Sequence, residues 1–417
     1  MSTPDKSSAD KPAQDKQVKR PRDVRLDVFR GLCLIIIFIA HVWDNPWALL
    51  IPARFGFSDA TEIFVFCSGM ASAIAFGAAF RRHGFMIGAA RVLLRCWQVY
   101  WCHIGVFLAA TVSMIIADRW LGTGGTYVDG LGIEPLFSAH PKEGLVGLLT
   151  LTWVPNYFDI LPMYLVILLL LPVVVGLHAF GRVHAFVFVA ATWVIASTGI
   201  LDLPAEPWGM RPWFFNPLSW QLVFFTGFAF MSGWLPAPPV EKRLIWLAAA
   251  VLVLAVPVAW WPLVETSETL TNWRAALAPL TDKTRFGILR YAHFLALAYL
   301  SWVAVGEGGR RLTGPAVEIL RKLGQQSLAI FMTGLVLSFS ASALLNVIGR
   351  GAFAVALVNL GGIAILIVVA RLTAWFKSQP WNARSAVKPG AAVAQDAQLL
   401  TTSAADATQG LKLRPTQ

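Results

Sequence analysis

RDVRLDVFRGLCLIIIFIAHVWDNP, residues 22–46, ends an apolar run on a histidine, His41, shortly after a basic arm. The run Leu32 to Ala40 (LCLIIIFIA) has the composition of a membrane span. Ionisable groups at that depth in a bilayer are costly, so a functional role is their default reading. Arg30 lies eleven positions before His41. At about 100° per residue, eleven steps return to within about 20° of the same helix face over a rise of roughly 16 Å. One stripe of one helix thus carries a cation at the membrane surface and an imidazole near mid-membrane. That pairing suits an anionic reagent held at one end and a base acting on it at the other. A neutral imidazole there can take a proton from a hydroxyl, and such help contributes typically about 10²–10⁴-fold. The competing explanation is a histidine hydrogen-bonded between helices.

The rest of the chain has the same character. Its 417 residues are 57% hydrophobic and 14% charged, against about 25% charge in a soluble domain, which excludes an ordinary soluble enzyme. Apolar stretches close to the roughly 20 residues that span a bilayer recur near 31–50, 60–80, 96–117, 158–179, 184–201, 217–235, 244–262, 287–305, 326–346 and 352–373. The expected fold is an all-α integral membrane bundle of about ten transmembrane helices. Residues 1–21 read as a disordered basic cytoplasmic arm, 22–376 as the transmembrane domain and 377–417 as a disordered cytoplasmic tail. The arm is too long, and lacks the small-residue site, for a cleavable signal.

Lysine and arginine set the orientation. Lys16, Lys19, Arg20, Arg22, Arg25 and Arg30 precede the first span. Arg81, Arg82, Arg91, Arg95, Arg182, Lys242, Arg243, Arg310, Arg311, Arg321 and Lys322 fall in even-numbered connections, which puts both termini inside. Lys283, Arg285 and Arg290 run against the bias. The net charge of +11 is then mostly a topology signal. Nucleic acid is excluded as a partner, because no basic patch interleaves with stacking aromatics on a soluble domain. Cys33, Cys67, Cys96 and Cys102 fall in apolar spans without metal-type spacing and read as packing residues, so no metal is expected. Many of the 18 tryptophans mark predicted outer borders, as an aromatic belt would; several could instead face a sugar.

Three further constellations carry chemistry. Asp59 and Glu62, in SDATE at 58–62, share roughly one helix face. A hairpin would bring them near Asp44 and His41, where one carboxylate could orient the imidazole as in a catalytic triad; Asp59 as a plain helix N-cap is the alternative. Arg91 and Arg95, one turn apart on the cytoplasmic side, can bind phosphates through charge-assisted hydrogen bonds. An outer polar set comprises Asp44, Asn45, Trp153, Asn156, Asp159, Trp220, Gln221, Asp282, Lys283, Arg290 and His293. Such a vestibule suits a polyhydroxylated acceptor.

At these residues the sequence resembles the OpgC family, a branch of the acyltransferase-3 membrane proteins. The matching stretches are residues 22–46, GFSDATEIFVFCSG (56–69), PNYFDILPMY (155–164), FNPLSWQLVFFTGF (215–228), DKTRFGILRYAHFLALAYL (282–300) and LGQQSLAIFMTGLVLS (323–338). The resemblance places the family's arginine–histidine signature on Arg30 and His41. It implies O-succinylation of osmoregulated periplasmic glucans at the inner membrane of a Gram-negative bacterium, with cytoplasmic succinyl-CoA as donor substrate and His41 as catalytic base. The arginine pair of many acyltransferase-3 members is more closely spaced than Arg91 and Arg95.

The expected partners are therefore succinyl-CoA, a periplasmic glucan and the lipid bilayer, with no tightly bound cofactor; nothing fixes an oligomeric state. Arg30, Arg25, Arg22, Arg91 and Arg95 would hold the donor. Acylation of another envelope polysaccharide or lipid sugar is the nearest alternative. A proton-coupled secondary transporter using His41 and Glu62 is the alternative from another class, although no internal repeat supports it.

Overall fold

A computed structural model describes residues 23–381, and among them every regular element is a helix. In chain order these are α1 (Val24–His41), α2 (Ala60–Leu121), α3 (Thr126–Gly130), α4 (Pro141–Thr150), α5 (Ile160–Phe180), α6 (Arg182–Ser197), α7 (Pro217–Ser232), α8 (Lys242–Ala259), α9 (Trp261–Val264), α10 (Glu268–Thr281), α11 (Ile288–Val305), α12 (Pro315–Gln325), α13 (Ser327–Ile348) and α14 (Ala352–Lys377). Six of them, α2, α5, α8, α11, α13 and α14, are long and apolar enough to cross a membrane. Leu93, Trp97, Val253, Leu254, Phe353 and Leu357 stand exposed on their flanks. So much outward apolar surface is unstable in water and is at home in lipid; this is a membrane protein. The amino-terminal arm lies outside the described residues, as does the tail beyond residue 381.

Local chemistry explains where the helices start and turn. The Asp23 carboxylate caps α1 by accepting the Arg25 N–H at 3.0 Å. Asp59 and Glu62 form a capping box on α2, each side chain accepting from the other's end of the turn. Prolines open α4, α7 and α12, where the missing N–H costs nothing. α2 is two arms rather than one rod. Gly84 has φ +81°, a conformation that glycine adopts without a steric penalty. The Phe80 and Phe85 rings meet at 5.8 Å across the bend, and Phe80 covers Gly88 so closely that a Cβ there would overlap its ring. Residues eight apart on a straight helix would be separated by about 12 Å along the axis, so the chain doubles back, with residues 81–87 exposed at the tip.

Glycines set two of the closest crossings. A Cβ on Gly31 of α1 would overlap the Leu320 carbonyl of α12, and one on Gly324 of α12 would overlap the Asp27 carbonyl of α1. Gly69 of α2 and Gly227 of α7 form a second reciprocal pair, against the carbonyls of Phe224 and Phe66. Small residues at facing positions let helix backbones approach where lipid supplies no hydrophobic drive. α1 thereby sits between α2, α12 and α13.

The first apolar stretch, expected to span 31–50, is shorter as a helix. α1 ends at His41, Asp44 turns the chain with φ +51°, and Asn45 caps a short 3-10 helix at Pro46–Leu50. His41 is therefore the last residue of α1, not a mid-helix residue.

Candidate active site

α1 carries both Arg30 and His41. Arg30 is half-buried and donates to the Ser327 hydroxyl where α13 begins. The Gly31–Gly324 crossing brings those backbones close enough for that bond. His41 Nδ1 lies 2.7 Å from the Ile37 carbonyl oxygen. A carbonyl only accepts, so in the neutral ring Nδ1 carries the proton and Nε2 the lone pair. Nε2 bonds no described residue. From His41 a crevice too tight to admit a water molecule runs between α1 and α13 back to Leu34, lined by Ile37, Phe38, Ile330, Phe331, Gly334 and Leu335.

A buried ionic cluster occupies the start of α2. Lys283 Nζ lies 2.5 Å from Asp59 Oδ2, Arg290 Nε lies 2.5 Å from Glu62 Oε1, and a second Arg290 nitrogen reaches Asp59 at 3.4 Å. Glu62 is wholly buried, and its other oxygen accepts the Asp59 N–H at 2.8 Å. Burial pushes the Asp59 carboxyl up, but the charges of Lys283 and Arg290, with bonds from Lys283 and the Thr61 N–H, outweigh it and hold the group well below the usual carboxylate range. The expectation that Asp59 or Glu62 orients the imidazole is corrected here. The Ile37 carbonyl bonds the ring, and both carboxylates are engaged by cations. Beside the cluster, Ser58 Oγ and His293 Nδ1 share a hydrogen bond of 2.7 Å, a pairing with no local signal in the sequence.

The outer polar set separates into interior and surface members. Trp220 is fully buried, its indole N–H donating to the Lys283 carbonyl at 2.9 Å. Gln221 is also fully buried and donates to the Val189 carbonyl at 2.8 Å. Trp153 packs edge-on to Phe107 inside the core. Asn45 exchanges amide hydrogen bonds with Asn359 of α14 at 2.9 and 3.1 Å. These four are corrected from vestibule wall to interior. Asp282 caps the turn that carries Lys283, accepting the N–H groups of Thr284 and Arg285 at 3.1 and 3.0 Å. Arg290 and His293 are buried at the start of α11. Asp44 is exposed, with Arg350 at 3.8 Å, and exposed Asn156 accepts from Arg211 at 3.2 Å. Asp159 is buried just before α5; burial raises its carboxyl to about 7 against the opposing charge of Arg211.

Of the arginines expected to hold a donor, Arg25 is clamped by Asp23 at 2.8 Å. Arg91 is exposed and Arg95 half-exposed on the second arm of α2, where Arg95 donates to Gln98 at 3.2 Å. Arg22 lies outside the described residues. Tyr157, which the sequence marks only as part of the polar segment 156–159, meets the His41 ring edge-on at 6.0 Å.

The family described as OpgC protein matches residues 22–378, from the arginine–histidine helix to the end of α14. The chain belongs to that family. No curated protein and no solved structure matches it. OpgC membership implies a transferase, and six apolar helices put that transferase in a membrane. Within the OpgC match fall the His41 crevice and the Asp59–Glu62–Lys283–Arg290 cluster.

Proposed function

We propose that this chain is an inner-membrane O-succinyltransferase of the acyltransferase-3 type. It moves succinyl from cytoplasmic succinyl-CoA to hydroxyls of osmoregulated periplasmic glucans, with His41 as general base. Ten spans with both termini cytoplasmic complete the reading. The observation that carries it is the His41 ring, with Nδ1 held by Ile37 and Nε2 unengaged, on the same helix as Arg30.

The CoA phosphates dock on Arg30, Arg25, Arg22, Arg91 and Arg95, and the pantetheine arm threads upward beside α1. A glucan hydroxyl enters from the other face, His41 Nε2 takes its proton, and the oxygen attacks the thioester carbonyl directly. Holding both reactants so uses proximity as well as base catalysis. Arg290 and Lys283 neutralise Asp59 and Glu62 and keep the start of α2 in place.

The test incubates membranes with labelled succinyl-CoA and periplasmic glucan, comparing wild type with His41→Ala. Transfer should fall about 10²–10⁴-fold, the range of a lost general base. Wild-type labelling of glucan by the variant would end the proposal, and glucan uptake without ester formation would favour the transporter.

A further inference from the structure

Tyr157 is a non-glycine residue with φ +70°, a left-handed backbone conformation that persists only where its surroundings enforce it. Those surroundings are visible. The Val154 N–H donates to the Ala205 carbonyl at 2.8 Å. Arg211 donates to the Val154 carbonyl at 2.9 Å and to Asn156 at 3.2 Å. Phe158 and Asp159, the next two residues, are buried. The enforced turn sets the Tyr157 ring among three others: His41 at 6.0 Å, Phe339 at 5.5 Å and Trp43 at 6.4 Å.

The ring body is thus fixed, yet the residue is 37% exposed. Its hydroxyl bonds no described residue. His41 Nε2 is unengaged too, as is the buried Trp43 indole N–H, which solvent does not reach. The two touching rings therefore present one free donor and one free acceptor, the pair that addition of an alcohol to a thioester requires.

Resting on the acyl-transfer reading above, we propose that the Tyr157 hydroxyl donates the hydrogen bond that stabilises the thioester carbonyl oxygen as it becomes negative. The glucan oxygen bonds to the carbonyl carbon while its proton passes to His41 Nε2. The C=O pair moves onto oxygen, against the Tyr157 O–H. The intermediate collapses with loss of the C–S bond, and the thiolate leaves with the proton from the imidazolium, giving ester and free CoA. Fixed donors of this kind are effective because they need no reorganisation during the reaction.

Tyr157→Phe removes only the O–H and keeps the ring, so folding should be unchanged. Steady-state kinetics of full-length protein in membranes, with labelled succinyl-CoA and glucan, should show kcat down about 10²–10³-fold, the loss seen for one oxyanion donor. KM for both substrates should stay within about twofold of wild type, because the interaction exists only in the transition state. Unchanged kcat overturns the assignment. A raised glucan KM at wild-type kcat also overturns it, since the hydroxyl would then hold the acceptor. His41→Ala is run in parallel. If that variant is inactive while Tyr157→Phe is normal, the Tyr157 assignment alone falls. If His41→Ala is fully active, the acyl-transfer reading falls first.

Discussion

Replacing Arg290 by leucine strands the Glu62 carboxylate. In the folded chain Glu62 is wholly buried, and the Arg290 Nε at 2.5 Å is its charge partner. Asp59 would keep Lys283 at 2.5 Å, but Glu62 would keep only the Asp59 N–H at 2.8 Å. Breaking a buried ion pair from one side costs about 3–5 kcal/mol, because an uncompensated charge is left behind, whereas replacing both partners is often close to neutral. The double variant Glu62→Gln/Arg290→Leu should therefore recover nearly all of the loss. Its amide carbonyl can still accept the Asp59 N–H, so the cap on α2 survives. Unfolding of the four proteins in one detergent gives the cycle, with an expected coupling of about 3 kcal/mol or more. A single-variant loss below about 1 kcal/mol, or a double variant no more stable than Arg290→Leu, would refute the reasoning.

Gly324→Ala sets a methyl group into the Asp27 carbonyl of α1, a backbone contact that no rotamer change relieves. It should cost about 1–3 kcal/mol of stability and, by shifting Ser327 off Arg30, raise the donor KM; wild-type behaviour in both assays would show that α1 and α12 are not so tightly crossed. Asp159→Asn should flatten the pH dependence of stability. With its folded pKa raised to about 7 by burial and the unfolded value near 4, wild type keeps a proton that the unfolded chain has lost, so stability falls as pH rises through that window. Between pH 5 and pH 8 the loss should be about 2–3 kcal/mol, and an equal loss in Asp159→Asn would place its origin elsewhere.

Hydropathy made the helices legible because lipid-facing and core-facing residues alike must be apolar, so runs such as Ile160–Phe180 stand out whatever they pack on. The reversal inside α2 could be read from the arginines at 81 and 82 and from Gly84. The end of α1 was harder. Trp47, Leu49, Leu50 and Ile51 continue the apolar signal past His41, and hydropathy cannot see the turn that Asp44-Asn45-Pro46 makes. α12 was not expected, since Ile319, Leu320 and Leu323 alternate with Glu318, Arg321 and Lys322 and average to a polar connection. The site was half legible. Arg30 and His41 share a helix, so their relation is a matter of spacing. Glu62 with Arg290 and Ser58 with His293 join segments more than 200 positions apart, and nothing local specifies either pairing. Burial of Trp220 and Gln221 was invisible for the same reason: a polar side chain at an expected border reads as exposed until its tertiary partner is known.

The Glu62–Arg290 contact also constrains how the molecule is made. The two residues are 228 positions apart in the chain, and a ribosome adding about 5–20 residues per second needs about 10 to 45 s to travel between them. Throughout that interval the leading arm of α2 has emerged with its carboxylates and without their countercharges. It must wait at the aqueous border or in the insertion machinery, so the start of α2 settles only when α11 arrives. A truncation just before residue 283 should accordingly leave every earlier helix synthesised yet the α1–α2 corner unfinished.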